Sequence, residues 1–225
     1  MSNKSSLPPL PAHVLAIADQ LMKKRPDLSD SRGGLLAACQ AIITCFDNGG
    51  ILYLCGNGGS FADAGHIKGE LAKSFARKRP VTDETLLKKL QPSDTGKRLA
   101  ETLEVGFPVV VLGESHSLRS AFENDRDPVL HYAQELHAFA AHTKSGVFLG
   151  ISTSGDSQNV HAAMTLASAL DLTTISFTGP AGGNLSEIAD IDWRSPAGTN
   201  PSEVQEEQLP LYHALCLMIE AKFFA

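Results

Sequence analysis

Residues 52–71 constrain the chain more than any other stretch. They read as an apolar run, Leu52-Tyr53-Leu54-Cys55, then Gly56-Asn57-Gly58-Gly59-Ser60, then a polar and apolar mixture with helical spacing. A buried strand entering a glycine-rich turn and leaving as a helix is the opening unit of a parallel α/β sheet. The turn puts free backbone N–H groups and Ser60 at a helix start, where an anion is favoured. The same helix carries His66 and Glu70 four residues apart, on one face. An anion-binding turn beside a possible acid/base or metal-ligand pair points to chemistry on a phosphorylated small molecule.

The rest of the chain repeats the alternation. Apolar runs at 108–112, 147–151 and 173–177, and a weaker one at 189–193, predict four more strands. Helical spacing is seen from His13 to Lys24 (Val14, Leu15, Ile17, Ala18, Leu21, Met22). A second helix, capped by Asp30 or Ser31, runs to about Phe46 and stops at Asn48-Gly49-Gly50. The helix after the glycine-rich turn extends to about Phe75. Residues 128–142 form a helix with Pro128 near its first turn. Further helices cover 159–170 and about 201 to the end. Residues 76–107 are charged and read as one or two amphipathic helices broken at Pro92-Ser93-Asp94. Residues 1–10 read as an irregular lead-in. The expected architecture is α/β, a doubly wound parallel sheet of five strands flanked by helices. It forms a single domain over 1–225, with a helical insertion at about 76–107. Both Gly/Ser turns, 56–60 and 152–157, follow strands, where ligands of such sheets bind.

Composition supports a globular protein. Of 225 residues, 43% are hydrophobic and 20% charged, so a sizeable core is available. The net charge of −6 without a basic run argues against nucleic acid as the partner. No apolar segment reaches the roughly 18 residues of a membrane span, and no signal-peptide pattern is seen. Cys39, Cys45, Cys55 and Cys216 form no CxxC pair and read as free thiols in a cytoplasmic protein.

Two familiar phosphate motifs fail. A GxGxxG fingerprint would need glycine at Phe61, and the Gly-Lys-Ser/Thr ending of a P-loop is missing. The second turn, Ser152-Thr153-Ser154-Gly155-Asp156-Ser157, offers four hydroxyls ahead of a helix, enough to hold a phosphate without lysine. Gln205, Glu206 and His213 lie on the last helix, with His213 among Leu209, Leu211, Ala214, Leu215 and Leu217. Taken alone, His213 reads as a core histidine. The remaining histidines (His13, His116, His131, His137, His142, His161) show no ligand spacing.

With these pieces placed, the chain resembles the SIS (sugar isomerase) family, and within it the phosphoheptose isomerase branch. The matching segments are Cys55 to Ser60, Asp63-Ala64, His66 with Glu70, Gly150 to Gly155 with Ser157 and Asn159, and Gln205-Glu206 with His213-Ala214-Leu215. The resemblance implies a five-stranded doubly wound sheet and conversion of a ketose phosphate into an aldose phosphate, sedoheptulose 7-phosphate into a heptose 7-phosphate. It implies phosphate binding by Ser152, Thr153, Ser154 and Ser157, and sugar contacts from Asn57, Gly58 and Ser60. Asn124 and Asp125 resemble an Asn-Asp element of the family, and Gln205 also belongs to its substrate site. It further implies Glu70 and His213 as the proton-transfer pair, zinc held by His66, Glu70, Gln205 and His213, and a cytoplasmic homotetramer. Against the family pattern, 76–107 is longer, Gln208 replaces a common histidine, Glu203 replaces a common arginine, and Pro210 interrupts the last helix. The competing reading is a SIS module that binds a sugar phosphate or bridges partners without catalysis; retention of His66, Glu70, Gln205 and His213 argues for the enzyme.

One further expectation is geometric. Gln205 and His213 are eight residues apart, roughly 12 Å along a helix and about 80° apart around it. One zinc reaches each ligand at about 2 Å, so one of the two is expected to come from a neighbouring subunit. The apolar surplus on the last helix, including Leu211, Leu215, Leu217, Met218, Ile219, Phe223 and Phe224, points the same way.

Overall fold

The computed structural model describes residues 9–143 and 145–224, so the lead-in expected at 1–10 lies largely outside the described residues. Five strands, β1 (Ile51–Gly56), β2 (Val109–Val111), β3 (Gly146–Ser152), β4 (Thr173–Thr178) and β5 (Ile191–Arg194), form one parallel sheet. Their order is β2-β1-β3-β4-β5. The helices are α1 (Ala12–Lys24), α2 (Arg32–Asp47), α3 (Gly59–Ala72), α4 (Glu84–Leu90) and α5 (Asp94–Thr102). They continue as α6 (His116–Asp125), α7 (His131–Ala140), α8 (Gln158–Ala169), α9 (Gly183–Ile188) and α10 (Pro201–Phe223). The order reverses direction between β1 and β3, and that switch point leaves a crevice at the strand ends.

Strand alternation explains the two layers. On β1, Leu52 and Leu54 join one core with Leu149, Ile151, Phe177, Trp193 and the buried faces of α1, α2, α3 and α10. Tyr53 and Cys55 point to the opposite face and pack with Phe148, Tyr132, Leu136, Val160 and Met164. Both faces are covered, so the strands read as continuous apolar runs rather than alternating ones.

The expected strands are all present, shifted by at most two residues. Two helices escaped the sequence reading. α6 has only Leu118 and Phe122 as large apolar residues and buries none of its positions, and α9 is six residues long. α3 ends at Ala72 rather than about Phe75. Ser31 does precede α2, but its hydroxyl caps nothing: it donates to the Arg194 carbonyl (2.6 Å) and accepts from Trp193 Nε1 (2.9 Å), tying α2 to β5. The charged stretch forms two helices, capped by Asp83 and Ser93. Pro210 does not interrupt the last helix; α10 runs unbroken from 201 to 223. The cost of one missing N–H is offset by tertiary burial of the residues that follow.

Part of the apolar surplus of α10 is covered within the chain. Leu211, Leu215, Met218 and Ile219 are fully buried in the core shared with α1, α2 and α3. Leu217, Phe223 and Phe224 stay half-buried. Near its end, Glu220 is fully buried and accepts from the backbone N–H of Phe75, Ala76 and Arg77 and from Arg79 Nε at 2.8 Å. Arg79, also fully buried, lies over the rings of Phe107 and Phe224. This ion pair clamps the chain leaving α3 against α10.

Candidate active site

The glycine-rich turn is shaped by two requirements. Gly58 has φ of +54°, the left-handed region. A Cβ on Gly59 would stand 2.3 Å from Gln205 Nε2, so the end of the Gln205 side chain occupies the space this glycine leaves open. Beyond the turn, Asn57 and Asn159 exchange side-chain hydrogen bonds of 2.8 and 2.9 Å. They join the end of β1 to the start of α8, across the switch point. Tyr132 adds a bond to Asn57 Oδ1 at 3.3 Å.

A cavity of about 280 Å³ lies against this turn. Ser60, Ser152, Thr153, Ser157 and Gln205 line it together with Asn57 and Gly58. Ser152 Oγ and Ser157 Oγ are 2.9 Å apart, and Ser152 Oγ accepts from Gly155 N at 3.1 Å. Ser154 belongs elsewhere: its hydroxyl accepts from Asp156 N, and it lines a neighbouring cavity with Asp156, Pro180 and Asn200. Asn124 and Asp125 bond each other at 2.9 Å at the end of α6, and neither is among the residues lining these two cavities.

The second constellation lies between α3 and α10. His66 Nε2 is 3.1 Å from Glu70 Oε1 and 3.4 Å from His213 Nε2. On its other side, His66 Nδ1 is 3.0 Å from the Tyr212 hydroxyl, which donates to Asp63 Oδ1 at 3.2 Å. Because Tyr212 donates to Asp63, it accepts from His66, so the Nδ1 of His66 carries a proton. His66 Nε2 then faces a carboxylate and a second imidazole, an arrangement that one proton or one cation between them satisfies. Burial, then the charge on His66, hold His213 below the ordinary imidazole value, against the opposing pull of Glu70. Burial pushes Asp63 up, against Tyr212 and His66. Burial also raises Tyr212, with Asp63 adding to the effect.

These donors are of the kind zinc takes, and the separations of 3.1 and 3.4 Å resemble the ligand edges of a tetrahedral site. As they stand they do not close around an ion: among the described residues, no three His, Cys, Asp or Glu side chains form a metal-holding group. Gln205 does not join them. It meets α3 at Gly59, seven residues before His66, or about 10 Å along the helix. Nor do His66, Glu70 and His213 line the serine cavity. A single chain thus carries two half-sites at opposite ends of α3, with Ser60 and Glu70 about 15 Å apart along the axis.

Tyr212, Asn159 and Tyr132 went unassigned in the sequence reading. Tyr212 adjoins His213, and Asn159 opens a predicted helix, but only the packing shows which side chain each one meets.

A parallel sheet with two Gly/Ser turns at its switch point and a His/Glu/His cluster is the arrangement of the sugar-isomerase class. The profile of the SIS domain matches residues 27–105. The phosphoheptose isomerase of Burkholderia pseudomallei (strain 1710b) is 34% identical over 201 residues, covering 88% of this chain and 87% of that protein. That of Crocosphaera subtropica is 33% identical over 180 residues, covering 80% and 78%. The chain belongs to the phosphoheptose isomerase family. Among solved structures, a phosphoheptose isomerase from Neisseria gonorrhoeae superposes with a TM-score of 0.67 at 25% identity, over 93% of this chain and 96% of that one. One from Francisella tularensis shares the fold with a TM-score of 0.69 at 23% identity, over 94% and 100%. No helix among the described residues is long and apolar enough to cross a membrane.

Proposed function

We propose that the protein interconverts sedoheptulose 7-phosphate and a heptose 7-phosphate. The observation that carries this reading is the convergence of His66, Glu70 and His213 in a protein that also presents a serine-lined anion turn. In the ketose direction, Glu70 takes a proton from C1 while His213 gives one to the C2 oxygen, forming an enediol. Glu70 then returns its proton to C2, and His213 takes one from the C1 oxygen, leaving the aldose. A depressed His213 is neutral near pH 7 and still offers an N–H to the developing oxyanion. Ser152, Ser157 and the free N–H groups of the turn hold the phosphate, and Asn57, Gly58 and Ser60 contact the sugar. Thr153 adds a hydroxyl to the same wall.

The donor chemistry of His66, Glu70 and His213 suits a zinc ion, with Gln205 of a neighbouring copy as the fourth ligand. When bound, that ion would polarise the carbonyl. The two half-sites of one chain lie too far apart for one substrate. The working unit is therefore at least a homodimer, and by resemblance to the family a homotetramer, in which a neighbouring copy completes each site. The working place is the cytoplasm.

The test is to incubate the protein with five- to seven-carbon ketose phosphates, with and without zinc, and follow products by NMR. Appearance of a heptose 7-phosphate from sedoheptulose 7-phosphate is expected. Binding of that sugar without interconversion would establish a non-catalytic SIS module instead. Mixed oligomers of Glu70→Gln chains with chains carrying Ser152→Ala and Ser157→Ala together should be more active than either variant alone; no gain in proven mixtures would refute the shared site.

A further inference from the structure

The buried ion pair between Arg79 and Glu220 reaches the helix ends on either side of it. Arg79 Nη1 donates to the Leu71 carbonyl at 2.9 Å and Nη2 to the Glu70 carbonyl at 3.3 Å, so the guanidinium caps the last turn of α3. Its Nε donates to Glu220 Oε1 at 2.8 Å, in the last turn of α10. One planar fork thus fixes the ends of both helices to each other. These are the helices that carry the His/Glu/His cluster. Arg79 holds the carbonyl of Glu70 itself, and His66 stands one turn before it. His213 precedes Glu220 by seven residues, so both lie on the same side of α10, about 10 Å apart along the axis.

A second link is more direct. The Glu220 carboxylate also accepts from Phe75 N at 2.9 Å, and the Phe75 ring lies against the His213 imidazole with centroids 5.6 Å apart. That packing matters because the contact of His213 Nε2 with His66 Nε2 is long, 3.4 Å, and holds the ring only weakly. Stability by itself does not account for two charges at this place, since a buried ion pair can often be exchanged for apolar side chains of similar volume without loss. Apolar packing cannot fix direction as these hydrogen bonds do, to two carbonyls of α3 and to the N–H groups of Phe75, Ala76 and Arg77. We propose that Arg79 and Glu220 are positioning residues for the reaction: by locking the end of α3 to the end of α10, and Phe75 against His213, they set the approach of His213 to His66 and Glu70. The reaction they serve rests on the isomerase reading above.

The test compares the parent protein with Glu220→Gln, Arg79→Lys and Phe75→Leu, each labelled with ¹⁵N-histidine. The imidazole signals of His66 and His213 are identified through His66→Gln and His213→Gln. Those of His137 and His161, on helices α7 and α8 across the sheet, serve as controls. In each variant the His66 and His213 signals should move and the controls should not. With sedoheptulose 7-phosphate, kcat should fall about tenfold while KM stays within about twofold, because a small misplacement acts on the proton transfers and leaves the serine cavity intact. Arg79→Lys keeps the charge but loses the fork, so it should lose kcat as Glu220→Gln does. Phe75→Leu keeps the ion pair and should lose kcat with little change in urea midpoint, which separates position from stability. Where Glu220→Gln does not fold, the other two variants carry the test. Unmoved His66 and His213 signals, an unchanged kcat, or a fall in activity that matches the unfolded fraction would overturn the positioning role and leave the isomerase standing. Moved signals in the variants of a parent that turns over no phosphosugar would uphold the coupling of the two helix ends and overturn the isomerase.

Discussion

Asn57 and Asn159 stand 102 positions apart in the chain and meet as a reciprocal amide pair, each donating to the other at under 3 Å. The pair braces the loop that follows β1 against the first turn of α8, across the place in the sheet where strand order turns back. Asn57 also lines both cavities of the cleft, so its orientation shapes each of them. Asn159→Ala should cost about 1 kcal/mol of stability, as for one net hydrogen bond. It should raise KM several-fold, because Asn57 then keeps only Tyr132. Urea titration and steady-state kinetics on the same preparation check this; an unchanged KM would show that Asn57 is positioned without its partner.

The serines separate by position. Ser157 faces Ser152 in the cavity, whereas Ser154 lines the neighbouring one. Ser157→Ala should weaken inhibition by inorganic phosphate and raise KM by about tenfold, the effect of a lost charge-assisted hydrogen bond. Ser154→Ala should do distinctly less. Equal effects would place the phosphate on the other side of the turn.

Glu70→Gln retains shape and one acceptor but cannot take a proton. Turnover should fall by about two to four orders of magnitude, and solvent-hydrogen exchange at the reacting carbon should fall with it. Full activity would leave Glu70 as a structural partner of His66.

Glu220 supplies the pH prediction. Burial alone would raise it, but the N–H groups of Phe75 and Ala76 and the Arg79 guanidinium more than offset this, and its carboxyl is held below the ordinary value. A depressed acid contributes stability that is complete above the unfolded value and is lost as pH falls through the folded one. Glu220→Gln should therefore cost about 3–5 kcal/mol at pH 7, the penalty for leaving Arg79 buried and unpaired. The gap between mutant and parent in urea midpoint should narrow as pH falls below about 4. A gap independent of pH would assign the loss to packing alone.

Local pattern determined much of this protein. Apolar runs alternating with helical segments specified five parallel strands, two of them ending in Gly/Ser turns. The 3.6-residue period placed His66 and Glu70 on one face of α3, and the hydroxyl-rich turn 152–157 marked itself by composition. Where the periodicity was faint, as in α6, no helix could be read. Only the tertiary structure decided which distant groups meet. His213, read in isolation as a core histidine, is half-buried and 3.4 Å from His66, 147 positions away. Tyr212 and Asp63 set the tautomer of His66. Gln205 lies against Gly59 rather than beside the histidines. His131 shows no ligand spacing in the chain, yet it lines the cleft beside Asn57 with its Nδ1 held 2.8 Å from the Pro128 carbonyl. Periodicity reports which face of an element is buried. The partner of a polar atom on that face depends on how two elements pack, and packing depends on contacts between residues far apart in the chain.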